Sequence, residues 1–141
     1  MYAVIRVRGL VGLREEFADT MAMLRLHKKM HCVLIKDNEN MLGMIRKVKD
    51  YVTWGEISDD VLKLMVEKRG RKPGNQRLSP DEVKKVLESL KASGTLGEGF
   101  VPVFRLSPPS KGFRKSIKQH YPKGEVGYRG EKINELLARM I

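Results

Sequence analysis

The chain has 141 residues, of which 28 are lysine or arginine and 17 are aspartate or glutamate, giving a formal net charge of +11. This length suits one domain, and the basic balance favours polyanionic partners such as nucleic acids. Cys32 is the only cysteine, no apolar run approaches the ~20 residues of a membrane span, and the first residues lack the pattern of a signal peptide. We therefore expect a soluble cytoplasmic protein without an internal disulfide, which excludes integral membrane and disulfide-framework classes.

Residues 1–57 predict three strands that alternate with two helices. The stretch YAVIRVR (2–8) alternates as a strand does, and HCVLIKD and YVTWGEI supply a second strand over 32–36 and a third. Apolar residues recur at helical spacing over 13–26, and again after a cap at Asp37 or Asn38. We expect a small two-layer β-α-β-α-β core of the α+β class, with a mainly antiparallel, ferredoxin-like sheet. Both helices then pack on one face, Trp54 is buried, and the other face stays open to a partner.

Residues 58–106 predict a helical insertion and an edge strand. Ser58 can cap one helix. Ser79 can cap a second helix, with a proline and a reciprocal glutamate in its first turn, and this second helix is expected to end near Gly94. Between these helices, RGRKPGNQR (69–77) is basic and has no acidic residue, so we interpret it as a loop that binds phosphate or is simply solvated. The stretch FVPVFRL (100–106) contains Pro102, which is typical of a strand at a sheet edge.

Residues 107–141 predict a basic extension that ends in a helix. The segment 107–130 holds six basic residues and one acidic residue, interleaved with glycines and with Phe113, Tyr121 and Tyr128. Basic side chains pair with phosphates and aromatic rings can stack on bases, although each ring here is better suited to packing on protein. We expect this segment to be mostly without helix or strand. The final helix, from about Glu131, has an apolar stripe that needs a surface on the domain.

Two catalytic interpretations compete with nucleic-acid binding. Cys32 beside His31 and His27 suggests a nucleophile or a metal ligand, but a metal site needs three or four convergent ligands, so a core cysteine is the simpler interpretation. The stretch GLVGLREEF places glycines before a helix, as acylphosphatases do on a comparable fold, with Arg14 as the residue to test. Its two glutamates would repel an anion there. We expect no catalytic residue, no metal and no cofactor.

Two long stretches resemble one protein family. LHKKMHCVLIKDNENMLGMIRKVKDYVTWGEI (26–57) resembles the signature region of the L30 family of large-subunit ribosomal proteins, and residues 108–140 resemble the C-terminal extension of its archaeal and eukaryotic members. The chain starts directly at the first strand, which points to the archaeal type. The resemblance implies a structural protein of the ribosome that binds rRNA. It also implies a position near the 5S rRNA region, beside other ribosomal proteins.

Phosphate contacts are expected from exposed lysine and arginine side chains, because these neutralise the RNA backbone and release counterions. The candidate RNA-binding residues are Lys28, Lys29, Arg46, Lys47, Lys49, Arg71, Lys72, Arg77, Lys111, Arg114, Lys115, Lys118, Lys123 and Arg129. The alternatives are a nucleic-acid-binding protein outside the ribosome and the acylphosphatase-like enzyme. The division predicted by the sequence is 1–57, 58–106 and 107–141 within one structural unit.

Overall fold

The structure is a computed structural model that describes residues 1–9, 11–94 and 99–141, without the side chain of Ser93. A short 3-10 turn (Gly130–Lys132) precedes the last helix. The helices are α1 (Glu15–Met23), α2 (Glu39–Lys47), α3 (Asp59–Arg69), α4 (Pro80–Ser93) and α5 (Ile133–Met140). The strands are β1 (Tyr2–Arg6), β2 (His31–Ile35), β3 (Val52–Glu56), β4 (Arg71–Lys72), β5 (Gln76–Arg77), β6 (Val103–Arg105), β7 (Ser116–His120) and β8 (Gly124–Tyr128). Within these described ranges, no helix has the length and apolar content needed to cross a membrane.

Six strands form one sheet in the order β6-β2-β1-β3-β8-β7. The central strand β1 runs antiparallel to both β2 and β3, and β6 runs antiparallel to β2 at the edge, as Pro102 predicts. Strand β8 runs parallel to β3 on the other side. The α+β class with a mainly antiparallel sheet is confirmed. All three predicted segments contribute to this sheet, since β6 and β8 come from the second and third.

Both faces of the sheet are covered by helices. On one face, α1 and α2 pack Met21 and Ile45 against Trp54, as the sequence predicts for the first 57 residues. On the opposite face, α3, α4 and α5 cover Ile5 and Phe104. The expectation of a sheet face open to a partner is therefore wrong. The apolar stripes of three later helices need the same surface, and burying them there removes more apolar area from water than any exposed arrangement.

Local capping chemistry sets the helix boundaries. Asn38 accepts a hydrogen bond from the Asn40 amide and so is the cap of α2. Ser58 and Ser79 cap α3 and α4 in the same way, and Gly94 ends α4 in the left-handed conformation at φ 71°. These predictions are confirmed. The first helix is shorter than predicted, because its chain already turns at Leu24 and reaches positive φ in the residue that follows.

Two stretches predicted to be irregular contain strands. The stretch 69–77 is a small antiparallel hairpin of β4 and β5, with a turn that uses Gly74 and Asn75 at positive φ. In the segment 107–130, β7 and β8 lie side by side with an irregular register. Residues of β8 are largely buried, whereas β7 is mostly exposed at the edge of the sheet. These two strands cover ten of the 24 residues of 107–130, so the segment is mostly without helix or strand, as expected. The strands form here because the open edge of β3 recruits β8 as a neighbour.

Two glycines give a matched test of this packing. A Cβ at Gly55 would overlap the carbonyl oxygen of Gly130 and lie 2.9 Å from Ile133 Cβ, whereas a Cβ at Gly43 meets nothing within 4 Å. We expect Gly55→Ala to lower the free energy of unfolding by about 1–3 kcal/mol through overpacking. Gly43→Ala, on an exposed turn of α2, should raise it by roughly 0.5–1 kcal/mol. Urea unfolding of both variants measures the difference, and equal values would contradict the close approach of β3 to α5.

Candidate nucleic-acid interface

The topology of the sheet collects basic residues at one end. Because β1 is antiparallel to β2 and β3, the end of β1 lies beside the starts of those two strands. The end of β6 and the start of β8 lie at this same end of the sheet, because β6 is antiparallel to β2 and β8 is parallel to β3. Basic residues flank or occupy each of these strand ends, and all are exposed or partly exposed: Arg8, Lys28, Lys29, Lys49, Arg105 and Lys123.

The β4–β5 hairpin extends this surface. Arg69 donates to the carbonyl oxygen of Arg105 at 3.4 Å and to Ser107 Oγ at 2.6 Å, which ties the end of α3 to the end of β6. Arg69 also lines an open groove of about 420 Å³, together with Arg71, Arg77, Lys68, Glu67 and Ile141. We call the whole surface the basic end; it comprises Arg8, Lys28, Lys29, Lys49, Arg69, Arg71, Arg77, Arg105 and Lys123.

Like charges are held close together in the hairpin. Arg71 and Arg77 face each other across β4 and β5, and the Arg71 guanidinium is fixed by the carbonyl oxygens of Lys68 and Gly70 at 3.0 and 2.9 Å. Burial lowers the pKa of Arg71, and the charges of Arg77 and Arg69 lower it further. Directly opposed like charges destabilise a strand pair. An anion such as a phosphate placed between these guanidinium groups would remove that repulsion.

Arg6 fixes the loop that carries Lys28 and Lys29. Its side chain is buried, and it donates to the carbonyl oxygens of Leu26 at 2.7 Å and Arg8 at 2.9 Å. The Met30 amide also donates to the Arg6 carbonyl oxygen. The buried arginine therefore holds two loops of the basic end together and has a positioning role.

The opposite end of the sheet has the opposite charge. Carboxylates lie at or just after the ends of β2, β3 and β8 and in the first turn of α3, and Lys36 and Lys132 are neighbouring cations. These acidic residues are Asp37, Glu56, Asp59, Asp60 and Glu131. Part of this separation of positive and negative charge follows from α3, because acidic residues stabilise its N-terminus and basic residues stabilise its C-terminus. The domain is consequently polarised along its strands.

Two of the candidate residues lie on the second helix, α2. Arg46 and Lys47 are exposed, while the neighbouring Ile45 and Val48 are buried. Lys72 is different, because its ammonium group pairs with Glu82 Oε1 at 2.9 Å. The hydrogen bond from Lys72 is the largest influence that lowers the pKa of Glu82. This ion pair makes Lys72 less available to a phosphate than its neighbours in the hairpin.

The extension presents basic residues on β7 and in the stretch before it. Lys118 is exposed on this strand, and Lys111 and Arg114 are exposed before it. Lys115 Nζ donates to the Pro122 carbonyl oxygen at 2.6 Å and lies 5.3 Å from the centroid of the Tyr121 ring. The side chain of Lys115 is thus already engaged by the protein.

The aromatic residues of the extension pack on the protein to different degrees. Phe113 packs against the core on the face covered by α3, α4 and α5. Tyr121 contacts Lys115 and Arg129, and Tyr128 is 49% exposed beside Tyr2.

Arg129 is not part of the exposed surface. It is 9% exposed, and its Nε donates to Thr53 Oγ1 at 2.8 Å. Its Nη2 donates to the carbonyl oxygen and to Oε2 of Glu125, the latter at 3.0 Å. The expectation that Arg129 contacts RNA is corrected here, because a buried guanidinium needs an anionic partner and Glu125 supplies it inside the protein. Sequence reasoning missed three arginines instead, the exposed Arg105 and the partly exposed Arg8 and Arg69, which lie at element ends that only the topology brings together.

The catalytic interpretations gain no support from the described residues. Cys32 is buried in β2, and burial raises the pKa of its thiol to about 12, so it is a poor nucleophile. No group of three or more metal-ligating side chains converges within the described ranges. The glycine stretch before α1 includes Leu10, which lies outside the described residues, and Arg14 beside it is exposed.

Comparisons with known proteins identify the family. The family model described as "Ribosomal protein L30p/L7e" matches residues 2–52. Proteins named large ribosomal subunit protein uL30 match over 152 aligned residues. That of Methanococcus maripaludis strain S2 is 51% identical and covers 99% of both chains, and that of Methanosphaera stadtmanae is 44% identical over the full length of both. That of Archaeoglobus fulgidus is 43% identical and covers 99% of each. These archaeal relatives are structural proteins of the ribosome and not enzymes, and the chain belongs to the same family, L30p/L7e (uL30).

Proposed function

We propose that this protein is a structural constituent of the large ribosomal subunit that binds folded rRNA through phosphate contacts at the basic end and along β7. The observation that carries the proposal is the gathering of cations from strands, hairpin and loops at one end of the sheet. The ribosomal names of its relatives support the same partner. As a ribosomal component, the protein works in the cytoplasm.

The geometry suits a folded polyanion. The basic end is built on strand ends, on a hairpin and on loops, two of which Arg6 ties together through their backbone carbonyl oxygens. Arg69 and Arg71 already use some of their N–H groups on carbonyl oxygens, which orients the remaining donors. Each neutralised phosphate releases counterions, so affinity falls as salt rises. A-form RNA offers backbone and shape more than base edges, and fixed cations match that kind of target.

The extension provides a second set of contacts, and we expect Lys118 to contribute more to them than Lys115. Lys118→Ala should lower the slope of log affinity against log salt by about 0.7–0.9, the value of one phosphate contact. Lys115→Ala should lower it less, because Lys115 Nζ is engaged by Pro122 and Tyr121. Filter binding of a large-subunit rRNA fragment at several salt concentrations measures both slopes. Equal loss in the two variants would contradict the engaged position of Lys115.

Co-sedimentation distinguishes the ribosomal role from nucleic-acid binding elsewhere in the cell. We expect the tagged protein to travel with the large subunit in a density gradient and to remain there after a moderate salt wash. Protein that stays at the top of the gradient but still binds isolated duplexes would favour the non-ribosomal alternative.

The position near the 5S rRNA region is part of the same proposal. A photo-crosslinker introduced at Arg77 or Lys49 should join the protein to rRNA of that region. Crosslinks that map only to distant parts of the subunit would overturn this finer placement and leave the phosphate-binding role intact.

A further inference from the structure

We propose that the acidic end of the domain carries a docking surface for an arginine- or lysine-rich segment of another protein. The surface consists of three aromatic residues, Tyr2, Trp54 and Tyr128, and we call it the aromatic surface. It lies at the end of the sheet opposite to the basic end, so it goes beyond the proposed contacts with RNA and does not depend on them.

The aromatic surface lies at a corner of the sheet, where Tyr128 is exposed at the border of the face that α1 and α2 cover. Trp54 and Tyr128 are paired across β3 and β8, and their ring centroids are 6.1 Å apart. Tyr2 on β1 meets Tyr128 edge to face at 6.4 Å. Tyr128 is 49% exposed, one of the most exposed large apolar side chains in the described part of the chain, while Trp54 is 8% exposed beneath it. The corner therefore offers a half-exposed aromatic ring to solvent beside a buried one.

Carboxylates act on the hydroxyl groups of two of these rings. Tyr128 donates its hydroxyl hydrogen to Glu56 Oε1 at 3.4 Å, and the charge of Glu131 also acts on that hydroxyl. Asp37 and Glu56 act on the Tyr2 hydroxyl, and Arg46 is the opposing cation there. Burial is the largest cause that raises the pKa of both tyrosines, and the carboxylates raise it further. Both hydroxyls are therefore neutral hydrogen-bond donors.

The charge of this corner selects the class of partner. Carboxylates repel the phosphates of RNA, whereas they attract guanidinium or ammonium groups. A cation over the face of tyrosine or tryptophan gains a further attraction from the ring. Exposed tyrosine with buried tryptophan is also the composition enriched at protein–protein interfaces. A basic peptide segment satisfies all of these features at once, while a nucleic acid satisfies only the stacking.

The chain supplies its own reporter, because Trp54 is its only tryptophan. The full-length protein is titrated with a short synthetic peptide of alternating arginine and glycine, and Trp54 fluorescence is followed. We expect a saturable change, weakened about two- to fivefold by Tyr128→Leu, which removes the π face but keeps an apolar side chain. Tyr128→Phe should bind like the parent protein because the ring remains. Glu56→Gln should weaken binding and reduce its salt dependence.

The matched control is Glu88→Gln, an exposed carboxylate on α4 across the sheet from the aromatic surface, and it should bind like the parent protein. An equal response to a glutamate-glycine peptide, or equal loss in Glu88→Gln and Glu56→Gln, would overturn the proposal. So would a Tyr128-dependent change of Trp54 fluorescence on adding an RNA oligonucleotide, or on raising the protein concentration alone. The first of these points to base stacking and the second to a second copy of the chain. RNA affinity measured on the same variants should stay unchanged, which separates this test from that of the basic end.

Discussion

Replacing Glu125 with alanine is expected to lower the free energy of unfolding by about 3–5 kcal/mol. The Glu125 and Arg129 side chains are only 6% and 7% exposed, and their carboxylate and guanidinium are 3.0 Å apart. Removing the carboxylate leaves the guanidinium buried with Thr53 Oγ1 and a carbonyl oxygen as hydrogen-bond acceptors and no negative charge beside it. The Lys115 amide also loses its acceptor, Glu125 Oε1 at 3.0 Å. The variant therefore pays the desolvation cost of a buried cation without its counter-charge.

Urea unfolding of three variants tests this explanation. The double variant Glu125→Leu with Arg129→Met should recover a large part of the loss, because it removes both charges and keeps apolar volume. Glu135→Ala breaks the exposed pair with Lys132, whose atoms are 3.3 Å apart, and should cost less than about 1 kcal/mol. A Glu125→Ala loss as small as that of Glu135→Ala would show that the inner pair does not hold β8 to β3.

The second large effect concerns the basic end. We expect the combined variant Lys28→Gln, Lys29→Gln, Lys49→Gln and Arg77→Gln to reduce the salt slope of rRNA binding by up to about 3–4. At physiological salt, the same counterion argument predicts roughly 100- to 1,000-fold weaker binding. The four side chains are exposed and lie on two loops and one strand, so folding should be little affected. Filter binding across a salt series gives both quantities.

A control of equal charge separates position from net charge. The variant Lys63→Gln, Lys84→Gln, Lys85→Gln and Lys91→Gln removes four exposed cations from the outer faces of α3 and α4. We expect a slope close to that of the parent protein, with a modest loss of affinity from the lower net charge. If both variants lost affinity and salt slope equally, net positive charge alone, and not the position of the basic end, would account for rRNA binding.

The local structure of this protein can be inferred from the sequence because its causes are local. Ser79, Pro80 and Glu82 specify the start of α4 within one turn, and Gly94 specifies its end through backbone conformation. The apolar stripe of α5 likewise identifies its buried face, and Ile133 and Met140 are indeed fully buried. The excess of lysine and arginine, which identifies a polyanionic partner, is also a property of composition alone.

Residues far apart in the chain decided the rest. The burial of Arg129 depends on Thr53, 76 positions earlier, and on the parallel pairing of β8 with β3. The glycine-rich sequence of 124–128 does not predict that strand. The basic end exists because antiparallel and parallel pairings bring the ends of separate strands together, and no window of sequence contains that arrangement. Composition and periodicity thus determined the elements, their caps and the sign of the charge. Only the tertiary structure decided which faces are covered, which cations are buried and where the free ones meet, because those outcomes are set by competition for shared surface between distant segments.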